Sequence, residues 1–77
     1  MARKIYYVVL HGGEWKIKHD GQHVGHYQTQ KGAITAAVNF AHQAGLNGHD
    51  AQVLVQGTNN QFRTEWTYGH DPYPPPG

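Results

Sequence analysis

Hydrophobic and polar residues alternate with different periods along this 77-residue chain. Ile5 to Leu10 is an unbroken apolar and aromatic run, so Arg3 to His11 is predicted to be a strand in the centre of a sheet or one whose second face meets a partner. Glu14 to His19 alternates strictly between polar and apolar residues, which predicts an antiparallel strand with one wet face. Val24 to Gln28 is consistent with a short third strand. The turn pairs Gly12-Gly13 and Asp20-Gly21 indicate tight connections between these segments.

A helical period replaces the strand pattern from Gln30 to Ala44. Small and apolar residues recur there at positions three and four apart, which predicts an amphipathic helix. Thr29 is a suitable N-cap, because its hydroxyl can accept a hydrogen bond from a free N–H of the first turn. Gly45 is predicted to end the helix as its C′ residue. His42 is expected on the solvent side.

A second pair of strands follows the helix. Ala51 to Gln56 and Gln61 to Tyr68 are predicted to be strands joined by the loop 57–60. Alternation in the last strand places two groups of residues on opposite faces. One group is Phe62, Thr64, Trp66 and Tyr68; the other is Arg63, Glu65 and Thr67.

These elements predict one domain over residues 1–77, with residues 69–77 as a Pro-rich C-terminal tail. The expected fold is α+β: an antiparallel sheet of four or five strands, in the order β-β-(β)-α-β-β, with one helix packed on one face. The prolines favour an extended polyproline conformation for the tail. It could bind a partner or fold back onto the domain, and we expect the latter. The uncovered sheet face should carry Lys16, Lys18, Arg63 and Glu65, and could pair in a homodimer.

Composition narrows the function classes. No cysteine is present, which excludes disulfides and thiolate metal sites, and the net charge is only +1. The absence of serine and of any local carboxylate pair argues against an enzyme, and no cofactor motif is found. No apolar run is long enough for a membrane span or for the core of a secretory signal, so we expect a cytoplasmic protein that does not contact membranes.

Seven histidines are a high count for this length. His19, His23 and His26 lie close together in the sequence and could hold a metal ion if they converged. Their spacing matches no known metal motif, so exposed strand and loop histidines are the favoured interpretation.

The aromatic residues allow two interpretations. Trp15 and Trp66 could be displayed on a sheet for base stacking beside basic residues, or they could form the core that so small a domain needs. We favour the core. The residues predicted to form a binding surface are Lys16, Lys18, Arg63, Tyr68 and Tyr73.

Three stretches resemble a family of short bacterial proteins, the domain-of-unknown-function family 2188. They are Tyr7 to Lys18 with its Gly-Gly turn, the helix start from Thr29 to Ala37, and the terminal Tyr-Gly-His-Asp-Pro-Tyr-Pro segment at 68–74. The chain departs from the family pattern at Gly32, where an acidic residue is usual. The resemblance implies a small bacterial domain, sometimes stress-associated, and supplies no activity, cofactor or site residue.

The sequence therefore predicts a non-enzymatic binding or interaction module that self-associates as a homodimer or takes a protein partner. A nucleic-acid-binding domain using basic and aromatic strand residues is the alternative. Histidine-based metal binding is a weaker one.

Overall fold

A computed structural model describes residues 3–75 of the chain. Five strands form one sheet, and the single helix packs across one face of it. Their bounds are β1 Arg3–His11, β2 Glu14–His19, β3 Gln22–Tyr27, α1 Gln30–Leu46, β4 Asp50–Gln56 and β5 Phe62–Thr67. The α+β class and the single helix are confirmed, and the sheet has five strands in the spatial order β3-β2-β1-β4-β5.

One strand pairing differs from the predicted antiparallel sheet. The β1–β2, β2–β3 and β4–β5 pairs are antiparallel, but the central β1–β4 pair is parallel. The two-residue turns force antiparallel neighbours, whereas α1 is a crossover connection that permits a parallel one. A helix of 17 residues spans about 26 Å, enough to return the chain to the end of the sheet where β1 starts.

The tight turns have the predicted backbone. Gly12 and Gly13 adopt φ angles of +62° and +81°, and Asp20 and Gly21 adopt +52° and +77°. Positive φ at both central residues matches the twist of the flanking strands, and glycine reaches this region without steric cost.

The helix begins as predicted and ends later. The Thr29 hydroxyl accepts from the N–H of Gly32 at 3.0 Å, as an N-cap does. Gly45 is helical and buried rather than the residue that ends the helix, and Asn47 is the C-cap. The prediction for Gly45 was wrong because the ring of Tyr68 packs where a side chain at position 45 would lie. Glycine is needed there for close approach rather than for a left-handed turn.

The core lies between α1 and the sheet. Small residues on the helix let it approach the strands closely, and branched residues from three strands fill the space between them. The buried apolar residues are Val8, Ile17, Ala33, Ala37, Val38, Ala41, Ala44, Ala51, Val53, Val55 and Trp66. Trp66 is only 2% exposed, which confirms its predicted place in the core, and the partly buried Trp15 packs against the same cluster.

Within residues 3–75, no helix combines the length and the apolar character needed to cross a bilayer.

Candidate functional site

The sheet face away from α1, here called the open face, is covered by no other element within residues 3–75. Directly paired residues of adjacent strands lie on the same face, so the register defines its members. Those of β1–β3 are Arg3, Ile5, Tyr7, Val9, His11, Glu14, Lys16, Lys18, His23 and His26. Those of β4 and β5 are Asp50, Gln52, Leu54, Gln56, Phe62, Thr64 and Thr67.

A register shift in β5 decides which of its residues reach the open face. Val53 pairs with Trp66 but Leu54 pairs with Thr64, so Glu65 has no partner on β4. One extra residue reverses the alternation beyond it. Phe62 therefore lies on the open face and Arg63 on the helix side, which makes the predicted placement of Arg63 on the uncovered face wrong. Glu65 likewise lines a groove on the helix side.

Aromatic and aliphatic side chains form the centre of the open face. Tyr7 and Phe62 meet edge to face, with ring centroids 5.4 Å apart and planes at 78°. Phe62 is 45% exposed. The two rings line a shallow cavity of about 370 Å³ together with Val9, Lys18, Asp20 and Gly21. The cavity therefore brings an aromatic ring, an ammonium group and a carboxylate close together.

Positively charged and imidazole side chains flank this centre on β1, β2 and β3. We call this group the basic flank: His11, Lys16, Lys18, His23 and His26. Lys16 pairs with His26 across the strands, and Lys18 pairs with His23. The ion pairs found within residues 3–75 are His19–Asp20, His26–Glu14 and Arg63–Glu65, and none of them includes either lysine. Both ammonium groups are thus available to an anion.

Desolvation and the positive charges of the basic flank affect the pKa of His23. Desolvation lowers the pKa of His23, and the positive charges of Lys16, His11, Lys18 and His26 lower it further. The rings of His11 and His23 have centroids 5.7 Å apart. Within residues 3–75, Glu14 is the one carboxylate found bonded to a member of the basic flank. Its Oε2 lies 3.2 Å from Nδ1 of His26.

His19 does not join the other histidines. It lies on the helix side, where its ring stacks on Tyr6 at 4.3 Å between centroids. Its Nδ1 lies 3.1 Å from the Ile5 carbonyl oxygen and its Nε2 3.2 Å from Oδ2 of Asp20. The pKa of Tyr6 is raised by burial and by the charge of Asp20. The sheet therefore separates the three candidate metal ligands, and no group of three or more His, Cys, Asp or Glu within residues 3–75 could hold a metal ion.

Tyr68 and Tyr73 lie in a second aromatic cluster on the helix side, away from Lys16 and Lys18. The Tyr73 ring stacks on His42, with centroids 3.6 Å apart and planes at 4°, and its hydroxyl donates to Oδ1 of Asn39 at 2.6 Å. The tail thus docks on its own helix. His42 is half-buried by these contacts, so its predicted position facing solvent was wrong.

The tail is also fixed to β5. The indole N–H of Trp66 donates to the Pro72 carbonyl at 3.0 Å, and Oδ2 of Asp71 accepts from the N–H of Thr67 at 2.8 Å. Beside these contacts, a groove of about 570 Å³ runs between α1, β5 and the tail, and Arg63 contributes to its lining. Of the five residues predicted to form one binding surface, the structure places Lys16 and Lys18 on the open face and Arg63, Tyr68 and Tyr73 on the helix side.

Sequence reasoning missed His11, His23, His26, Tyr7 and Phe62 as members of one surface. His23 and His26 would point to opposite faces of a regular strand. They share a face because Lys16 pairs with His26 but Ile17 pairs with Val24, which leaves Gly25 as an extra residue. Gly25 has a φ of +86°. A glycine inside a strand pattern is a known signal for such a bulge, and it could have located this one.

The fold and the open face together define a small α+β domain with one helix and an uncovered mixed sheet. A family model described as "Uncharacterized protein conserved in bacteria (DUF2188)" matches residues 6–68. The chain therefore belongs to this bacterial family, which confirms the resemblance inferred from the sequence; the match ends before the terminal 69–77 segment. No curated protein and no solved structure gives a significant match.

Proposed function

We propose that this domain is a non-enzymatic binding module whose open face takes single-stranded nucleic acid. The observation that carries the proposal is the position of the Tyr7–Phe62 pair directly beside two lysines that have no carboxylate partner within residues 3–75. Proteins that bind single strands combine aromatic rings, on which bases stack, with cations that follow the phosphate backbone.

The cavity next to Phe62 supports a base as the group that enters. Its aromatic wall supplies a stacking surface, and Lys18 at its edge can reach a phosphate. Asp20 lines the same cavity and can accept a hydrogen bond from an exocyclic amine of a base.

The charge distribution supports an anionic partner over a second copy of the chain. The open face has four basic or imidazole residues on β2 and β3, whereas its members on β5 are the uncharged Phe62, Thr64 and Thr67. A second copy would therefore present no acidic strand to the basic flank. Self-association remains a prediction, and the experiment below detects it.

The test is fluorescence anisotropy with a labelled single-stranded oligonucleotide at 50 and 200 mM salt. We expect binding at the lower salt concentration and a steep loss at the higher one. The double variant Lys16→Gln/Lys18→Gln should bind more weakly, and its salt dependence should fall by about 1.4 in slope if each lysine contacts one phosphate. Lys4→Gln/Lys31→Gln is the matched control, because it removes the same charge from the helix side.

Phe62 and Phe40 provide a matched pair of sites for testing the aromatic contribution to binding. Phe62 on the open face and Phe40 on α1 are 45% and 44% exposed. Loss of one stacked base costs about 1–3 kcal/mol, so Phe62→Ala should lower affinity about 5- to 150-fold. Phe40→Ala should leave affinity unchanged.

Two results would overturn the proposal. The first is no binding of any oligonucleotide at 50 mM salt. The second is equal weakening by the open-face and helix-side variants, which would show that only net charge matters. If sedimentation instead shows a dimer that Phe62→Ala dissociates and Phe40→Ala does not, the open face is a homodimer interface.

A further inference from the structure

The three histidines of the basic flank have no assigned role in base stacking, and their arrangement is unusual. Imidazoles from β1 and β3 lie next to two ammonium groups on β2, so that neighbouring side chains repel each other once protonated. Such a cluster is unfavourable without an anion. The fold nevertheless brings these groups together through the Gly25 bulge, which turns His23 and His26 to the same face.

We propose that the basic flank is a phosphate-binding site, and that an anion bound there is accompanied by proton uptake at His23. If the phosphates belong to a nucleic acid, this inference rests on the proposed function. The shared chemistry is a tetrahedral oxyanion, supplied either by a polynucleotide backbone or by a free phosphoryl group.

The coupling follows from the charges that face His23. Lys16 and Lys18 approach from β2, His11 from β1, and His26 lies on the same strand. All four are positive or become positive on protonation, so without a ligand they favour the neutral imidazole. An oxyanion among them offsets the nearby positive charge and favours the imidazolium, which can also donate a charge-assisted hydrogen bond.

The acidic groups near the flank do not replace that anion. Two carboxylates lie on the same face: Glu14, which is bonded to His26, and Asp50, which lies on β4 opposite Arg3. Asp20 lies in the turn after β2, where it lines the cavity beside Lys18 but pairs with His19. The β4 residues of the open face nearest to this end, Leu54 and Gln56, carry no charge. His23 is therefore the imidazole most exposed to the uncompensated positive charge.

NMR titration of the histidine rings tests the site directly. Sodium sulfate is the probe, because it is a tetrahedral dianion that does not titrate in this range, and sodium chloride at equal ionic strength is the control. We expect sulfate, but not chloride, to raise the titration midpoint of His23. The midpoint of His70, which is exposed in the turn after β5, should not move.

Oligonucleotide binding as a function of pH is the second arm. A one-unit rise in the pKa of a single histidine strengthens binding by up to about tenfold at pH values below both pKa values, so affinity should be higher at pH 6 than at pH 8. His23→Gln should abolish this difference, and His70→Gln should preserve it. Circular dichroism of both variants controls for folding.

The outcomes separate the two proposals. Oligonucleotide binding that does not change with pH, together with an unmoved His23 midpoint, overturns this inference and leaves the proposed function standing. A midpoint raised by sulfate without any oligonucleotide binding supports a site for free phosphoryl groups and overturns the proposed function. Equal effects of sulfate and chloride indicate ionic strength alone and overturn the inference.

Discussion

Replacing Gly45 with alanine should have two opposing effects on the free energy of unfolding: a gain in helix propensity and a loss from overpacking. Gly45 is buried in the last turn of α1, against the ring of Tyr68. A Cβ built there overlaps the Cγ, Cδ1 and Cε1 atoms of that ring. The ring has little room to move, because His42 and Trp66 lie within 5.8 and 6.2 Å of it between centroids.

The two effects differ in size. Alanine is favoured over glycine inside a helix by about 1 kcal/mol. Overpacking a well-filled interior costs about 1–3 kcal/mol. The overlap at Tyr68 involves the ring carbon nearest the backbone rather than a flexible end, so we place its cost in the upper part of that range. Gly45→Ala should therefore lower the free energy of unfolding by about 1–2 kcal/mol.

Urea unfolding followed by tryptophan fluorescence and circular dichroism measures this change. The decisive comparison is the same substitution in a Tyr68→Ala background, or in Tyr68→Leu if alanine leaves too little stability. Without the ring only the helix propensity remains, so Gly45→Ala should there be neutral or stabilising by up to about 1 kcal/mol. A stabilising Gly45→Ala in the native chain, or the same sign in both backgrounds, would refute the reasoning.

Three further predictions concern the tail and the basic flank. Tyr73→Phe removes the hydroxyl bond to Asn39 and should lower the free energy of unfolding by about 0.5–1 kcal/mol in urea titrations; a similar loss in an Asn39→Ala background would contradict this. Trp66→Phe removes the indole bond to Pro72 and leaves space in the core, so we expect a loss of about 2–3 kcal/mol by the same assay; a loss below that of Tyr73→Phe would argue against a structural role for Trp66. The pKa of His23 is lowered in the fold, so the unfolded chain takes up its proton first as the pH falls. Stability should therefore decrease as the pH falls through 6.5, the ordinary histidine value, and His23→Gln should flatten that dependence in urea titrations at several pH values.

The elements that sequence predicted best are those with a strong local signal. The bounds of β1 and β2 are as predicted, because two-residue glycine turns terminate both strands unambiguously. The helix start at Thr29 is also as predicted, since a hydroxyl cap acts within one turn. These features depend on residues adjacent in the chain, so no tertiary contact needed to be known.

The failures arise where tertiary contacts override the local pattern. The alternation from Phe62 to Tyr68 is regular, yet Glu65 has no partner on β4 and the residues before it change faces. Nothing in the local sequence marks that position, unlike Gly25 in β3. The helical position of Gly45 depends on the ring of Tyr68, which is distant in sequence. The predicted site therefore mixed residues from both faces of the sheet.

The parallel pairing at the centre of the sheet has a consequence for how the chain reaches its native state. Tyr6 pairs in register with Val53, so β1 cannot complete this pairing until β4 has been synthesised. Until then one edge of β1 lacks its strand partner. Such long-range closure slows folding relative to hairpins. A cut in the segment 47–49 would yield two pieces, each lacking part of the interior, which acquire structure only by meeting each other.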